Sequence, residues 1–272
     1  MEKSFDLAFD LGILLVYLVG VVALGLVLPC VLFYLYVRLT ANSPSPYFPS
    51  PGRIWERFDE TWLFAHFGTD VVPSLRNLAL GFSAAAVAGV VLGLAIGRVT
   101  WLQHLLMPLV HFFRSVPPIM LIPPLVLIIG TGDSSKVAII FVGALFPILI
   151  ASLDGVSNID PALTEVGRGL RIGRLRAVTR IYGPAASPAI FGGLETGLQI
   201  SVVLMVASEM VAATHGIGYL TMQAQATFDA VGVWSGIVLL SILGLLIAAL
   251  FRAVRSRMLG WHIGMSRVAR DR

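Results

Sequence analysis

Apolar residues gather into six long runs, at about 11–39, 75–97, 108–130, 137–153, 189–213 and 232–253. A helix crosses the hydrocarbon layer with about 20 such residues. The segments between the runs are polar, proline-marked or arginine-rich. The fourth run is short, so that helix is expected to tilt little or to extend at its ends. This pattern predicts an all-α membrane protein, a polytopic bundle of about six transmembrane helices. Residues 1–40 hold the first helix, 41–73 an external loop and 74–255 a five-helix core. The core contains a cytoplasmic loop at 154–188, and 256–272 form a basic tail. Arg38 and a Pro-rich stretch follow the first run where a small-residue cleavage site would stand, so it reads as a retained anchor.

Finer periodicity adds detail. Ser50-Pro51 reads as a cap and first helical residue. Beyond it Ile54, Trp55, Phe58, Trp62 and Ala65 fall on one helical stripe, with Glu56, Arg57, Asp59 and Glu60 off it. That stripe fits either a helix on the outer membrane surface or one packed on the bundle. In the second run Gly81, Ala85, Gly89, Gly93 and Gly97 recur every four residues and form a groove that admits another backbone. Static packing within one subunit is the expected use, a sliding or dimer contact the other. In the third run Pro108 suits a helix start, whereas Pro117, Pro118, Pro123 and Pro124 predict a helix broken twice. Carbonyls freed in hydrocarbon must be enclosed or face water, which makes this segment a candidate pathway lining.

Composition supports the membrane reading. Of 272 residues 57% are hydrophobic and 12% charged, against about 25% charged in soluble domains. The net charge of +4 encodes orientation rather than nucleic-acid binding. With both termini cytoplasmic, 14 of the 19 Lys and Arg lie inside, and Arg38, Arg53, Arg57, Arg76 and Lys136 lie outside. The single Cys30 lies in an apolar run and cannot form an intrachain disulfide.

The loop at 154–188 carries five arginines, at 168, 171, 174, 176 and 180. They serve orientation, anionic lipid, or the docking of a cytoplasmic partner. Asp160-Pro161 starts a short helix running through Leu170. A second is expected from about Arg174 to Tyr182, stopped by Gly183-Pro184.

The run Glu165-Val-Gly-Arg-Gly-Leu-Arg-Ile-Gly…Ile181-Tyr-Gly-Pro184 resembles the coupling loop of ATP-binding-cassette importer permeases. Val166 and Gly167 replace that loop's paired alanines, Arg171 stands where Gly is expected, and Gly183 replaces Leu. Three further segments resemble the nitrate/sulfonate/taurine/bicarbonate-type permeases. These are Phe48-Pro-Ser-Pro51…Ile54-Trp55, Arg114-Ser-Val-Pro-Pro118, and Ser208-Glu209-Met210 with Gly216-Ile-Gly-Tyr-Leu220. The resemblance implies the type I importer permease fold in a bacterial cytoplasmic membrane. It also implies a second permease copy, two ATPase subunits and an external solute-binding protein, importing a small anion such as a sulfonate, nitrate or bicarbonate by alternating access. Pro161, Glu165, Gly167, Leu170, Arg171, Gly173, Ile181 and Pro184 are then the ATPase-coupling residues.

A phosphate-binding loop needs Gly-x4-Gly-Lys-Ser/Thr. With lysine only at 3 and 136, and Ser135 before Lys136, none exists here. The chain is therefore expected to be no enzyme and to hold no cofactor, ATP and Mg belonging to the partner subunit. The pathway or gate candidates are Pro117, Pro118, Glu195, Gln199 and Glu209. Glu195 and Glu209 are 14 residues apart, about 21 Å along one helix face, with Gln199 on that face. They line a passage or dimer seam, or reach headgroup water at either end; a gate or helix anchor suits them better than anion binding. The alternative is a stand-alone proton-coupled secondary transporter using Glu195 or Glu209. The five histidines show no metal-ligand spacing, and no catalytic set is visible. Tyr219 and Asp229 fall in an outer loop suited to touching a delivery protein.

Overall fold

Helix after helix follows from the apolar runs, and the computed structural model describes residues 20, 23–41, 47–160, 162–163, 165, 169 and 173–260. The chain forms two units, Met1–Arg57 and Phe58–Arg272. In the first, α1 (Ala23–Thr40) exposes a largely apolar surface. The Tyr36 hydroxyl donates to the Pro49 carbonyl at 2.8 Å, tying that helix to the chain beyond it. Pro51 opens α2 (Pro51–Phe58) as expected.

Among the described residues five helices are long and apolar enough to cross a membrane, or six if one bent pair is a single span. In the second unit α3 (Val72–Gly97), α6 (Asp133–Ser157) and α7 (Gly183–Ala212) form its centre, with α6 between the other two. Small residues permit this. A Cβ at Gly81 would stand 2.7 Å from Ile140, and one at Gly89 2.8 Å from Ile148. From α7, a Cβ at Gly197 would meet the same Ile148 side chain at 2.8 Å. The four-residue repeat is thus a packing groove within one subunit, where close backbones gain dispersion contacts that lipid cannot supply.

The segment before α3 packs instead of lying free. Phe58 and Trp62 join the core with Leu78, Ile139, Met205 and Leu239, and Trp62 Nε1 donates to Ser235 Oγ at 3.1 Å. Trp55 and Ala65 are exposed, so the buried stripe is narrower than the sequence predicts. The chain passes through π-helical turns Asp59–Ala65 and Phe67–Val71, which rotate successive side chains away from a simple 3.6-residue stripe.

Three sequence expectations need correction. Pro108 does not start a helix: α4 runs Thr100–Ser115 and holds it internally. The real start is set by Val99, whose extended backbone ends the preceding turn. The third segment bends once, not twice: α4 and the stretch Pro118–Ile129 meet at 84°. Val116 and Pro117 both have extended ψ, 120° and 122°, because a following proline excludes the helical region. Pro123 and Pro124 sit in the first turn of α5 (Ile122–Ile129), where their missing donors are not needed. Finally, Gly183-Pro184 does not stop a helix. Arg174–Ala177 and the π turn Val178–Tyr182 lead straight into α7, the Gly183 N–H bonding the Val178 carbonyl. Pro184 falls in the first turn of α7, where its fixed φ suits the helix. The fourth span does extend at both ends, to Asp133 and Ser157. Last come α8 (Ile217–Ala226) and α9 (Ala230–Met258), with Asp229 capping α9 through the Gly232 N–H at 3.0 Å.

Candidate functional site

The bend after α4 opens a cavity of about 580 Å³. Arg114 and Pro118 line it from the bend, Gly143, Phe146 and Pro147 from the middle of α6, and Gly192 and Thr196 from α7. Its walls are mainly apolar and contain no carboxylate. A second hollow of about 410 Å³ shares Pro118 and adds Gln199. The structure therefore brings Pro118 and Gln199 to one region, with exposed Pro117 beside it.

The two carboxylates lie elsewhere. Glu195 Oε2 accepts from Arg255 Nη1 at 2.6 Å, joining α7 to the last turns of α9. Glu209 is 1% exposed and so does not reach headgroup water from within this chain. Its Oε2 accepts from the Gly218 N–H at 2.9 Å, and Ser74 Oγ lies 2.5 Å from its Oε1.

Glu209 belongs to a polar latch that the sequence reading missed. Asp70 Oδ1 accepts from the Gly216 N–H at 2.8 Å, and its Oδ2 accepts from Thr69 Oγ1 at 2.7 Å and faces His66 Nδ1 at 2.9 Å. The Ile217 N–H donates to Ser74 Oγ at 3.2 Å. Two carboxylates thus meet the first amide groups of α8, where unpaired donors and the helix dipole favour negative charge. Local chemistry demands the glycines: Gly216 has φ +122°, and a Cβ at Gly218 would press on the Glu209 side chain at 2.9 Å.

Next to the latch, Asp133 Oδ1 accepts from Asn77 Nδ2 at 2.9 Å and Lys136 Nζ at 3.1 Å, and faces His215 Nε2 at 3.2 Å. Lys136, in the first turn of α6, is 2% exposed. Together these groups fasten the N-terminal ends of α3 and α6 and the C-terminal end of α7 to the loop before α8. The legible signals were Asp70 and Ser74 four apart ahead of an apolar run, and Gly216-Ile-Gly218 shortly after Glu209.

Of the residues expected to couple to an ATPase, Pro161, Gly167, Leu170 and Arg171 lie outside the described residues. Glu165, Gly173 and Pro184 are exposed and Ile181 is half-buried. Asp160 Oδ1 accepts from the Ala162 N–H at 2.8 Å, the expected cap. Arg98 stacks on the Tyr182 ring at 4.5 Å, bracing the π turn against the end of α3.

The geometry defines a helical membrane bundle with a cavity at a broken segment and a latched end. Residues 85–260 match the binding-protein-dependent transport system inner membrane component family, and the chain belongs to that family. It is an ABC importer permease, a multi-pass inner-membrane component of systems that also contain an ATPase and a solute-binding protein. It is 30% identical to a probable ABC transporter permease protein of Brucella abortus, over 79% of this chain and 86% of that one. It is 28% identical to the taurine transport system permease protein TauC of Escherichia coli, over 80% and 82%. A nitrate import permease protein NrtB of Leptolyngbya laminosa is 32% identical over 69% and 67%. In fold it resembles a chain of the inward-facing MetNI methionine ABC transporter, with TM-score 0.59 and 24% identity over 70% of this chain and 94% of that one.

Proposed function

We propose that two copies of this chain enclose a pathway for a small anion such as a sulfonate, nitrate or bicarbonate. Two cytoplasmic ATPase subunits, holding ATP and Mg, seat on the loop at 154–188, and an external solute-binding protein delivers the substrate. Both termini face the cytoplasm, which keeps most arginines inside. ATPase closure, passed through the segment around Pro161–Arg171 and on through Ile181 and Pro184 into α7, shifts the helices around the cavity by alternating access. The family match over residues 85–260, which spans the loop, the bend and the Glu209–Gly218 side of the latch, carries this reading. The printed names of relatives for taurine, aliphatic sulfonates and nitrate support the substrate class. The Glu195–Arg255 pair and the buried latch give the two acids anchoring roles, which leaves the proton-coupled alternative without a free carboxylate carrier.

The test is uptake into proteoliposomes holding this chain with its ATPase and binding protein. Accumulation of labelled taurine, alkanesulfonate or nitrate only with ATP, Mg and binding protein supports the proposal. Accumulation by the chain alone under a proton gradient, without nucleotide, refutes it.

A further inference from the structure

The turn that joins the loop at 154–188 to α7 is gripped from the side. Val178–Tyr182 is a π turn, closed by the Gly183 N–H on the Val178 carbonyl. Such turns are longer than α turns and recur at functional sites. Relaxing to α geometry would pass a residue along the helix, about 1.5 Å of rise. A displacement arriving only along the backbone is therefore partly absorbed before it reaches α7.

Tyr182, the last residue of the turn, supplies a second route. It packs with Val156, Ala186 and Ile190, and Val90 and Leu94 of α3 belong to the same cluster. Over its ring lies the guanidinium of Arg98, with Cζ 4.5 Å from the centroid. Arg98 is the C-terminal cap of α3 and is half-buried. Among the described residues the Tyr182 face is the one partner of that side chain. A cation there complements the helix dipole and helps set orientation, but neither role needs an aromatic face beneath it.

Behind Arg98 the bundle is stiff. A Cβ at Gly93 would lie 2.5 Å from Ser152 Cβ, and one at Gly97 3.0 Å from the Leu153 carbonyl oxygen. Contacts this close lock α3 to α6. From Arg98, α3 runs back through 26 residues, about 39 Å, to its first turns. There Ser74 and Asn77 bond Glu209 and Asp133. A push on Arg98 is thus delivered to the latched end of the bundle.

We propose that Arg98 is a positioning residue for ATP-driven transport, its stack on Tyr182 carrying motion of the loop at 154–188 into α3. This rests on the permease reading above and adds to the direct connection into α7 a lateral strut into α3.

The test uses the purified permease–ATPase complex in nanodiscs, with a bimane probe on Arg76→Cys in a Cys30→Ser background. Residue 76 is exposed in the first turns of α3. In the otherwise wild-type chain the emission changes when ATP, Mg and vanadate trap the ATPase. In Arg98→Gln the equilibrium constant between resting and trapped emission falls at least about fivefold, with ATP hydrolysis within about twofold of wild type. Arg98→Lys keeps the cation and is intermediate. Tyr182→Phe keeps the ring face and responds as wild type, and Tyr182→Leu matches Arg98→Gln. The double variant Arg98→Gln/Tyr182→Leu responds no less than either single one, because both remove the same contact.

A response within about twofold of wild type in Arg98→Gln, additive losses in the double variant, hydrolysis falling in step with the emission change, or a wild-type probe blind to trapping overturns the strut. Retention of the ATPase on purification is read in parallel. A responsive wild type with indifferent Arg98 and Tyr182 variants overturns the strut and leaves the permease reading standing. A chain that retains no ATPase removes both.

Discussion

Replacing Glu209 by Ala removes the acceptor for the Gly218 N–H and the neighbour of Ser74 Oγ at one stroke. Glu209 is 1% exposed, so water does not reach the vacated space freely. A buried donor left without a partner costs about 1–3 kcal/mol. The contact to Ser74 crosses between α7 and α3, and such interhelical bonds in membranes contribute about 0.6 kcal/mol on average. The sum, roughly 1.6–3.6 kcal/mol, falls on local opening of the loop and first turn of α8. At about 1.4 kcal/mol per decade, amide exchange of Gly216–Gly218 should accelerate roughly 15- to 400-fold. Glu209→Gln keeps an oxygen for Gly218 and an amide facing Ser74, so it should change exchange less than about fivefold, a loss within 1 kcal/mol. Hydrogen–deuterium exchange of the peptide covering 210–226 in detergent or nanodiscs reads both variants. Exchange within threefold of wild type in the Ala variant, or a Gln variant as fast as Ala, would refute the latch.

Three other outcomes follow from the packing and the loop. Gly89→Leu forces a side chain against Ile148, 2.8 Å from the first added carbon, and should abolish the monodisperse detergent-extracted protein, whereas wild-type extraction would show a slack groove. Trp62→Phe removes the donor to Ser235 Oγ, which keeps its own bond to the Gly232 carbonyl at 2.8 Å. A loss of about 0.5–1.5 kcal/mol in detergent unfolding is expected, and a loss above about 3 would mean the bond is not the indole's main contribution. Glu165→Lys reverses charge at an exposed loop position and should abolish ATP-coupled uptake with membrane insertion intact, while normal uptake argues against docking there.

Much of the architecture was legible because a bilayer imposes one strong rule: apolar length becomes helix. The glycine repeat in 81–97 likewise foretold its packing, since only backbone approach explains small residues at a four-residue period. Prolines misled the reading. Pro108, Pro123 and Pro184 look alike in sequence, but whether a proline breaks, opens or merely interrupts a helix depends on where the preceding turn ended. The latch was partly hidden for another reason. Glu209 was visible as a charge in an apolar run, but its partners Asp70, Ser74 and Gly216–Gly218 come from distant segments that no local period connects.

The claim on which the account turns is that this membrane conduit is driven from its inner face by a separate ATPase. Gly173 is exposed and a Cβ there meets nothing, so Gly173→Cys in a Cys30→Ser background offers a clean reporter on the coupling loop. In membranes from cells expressing the whole transporter, a short thiol cross-linker at that position should join the chain to the ATPase subunit. The yield should change with ATP and Mg, and an impermeant thiol reagent added outside should not react. Labelling from the outside, or no adduct with an ATPase in a membrane that still imports solute, would contradict the account.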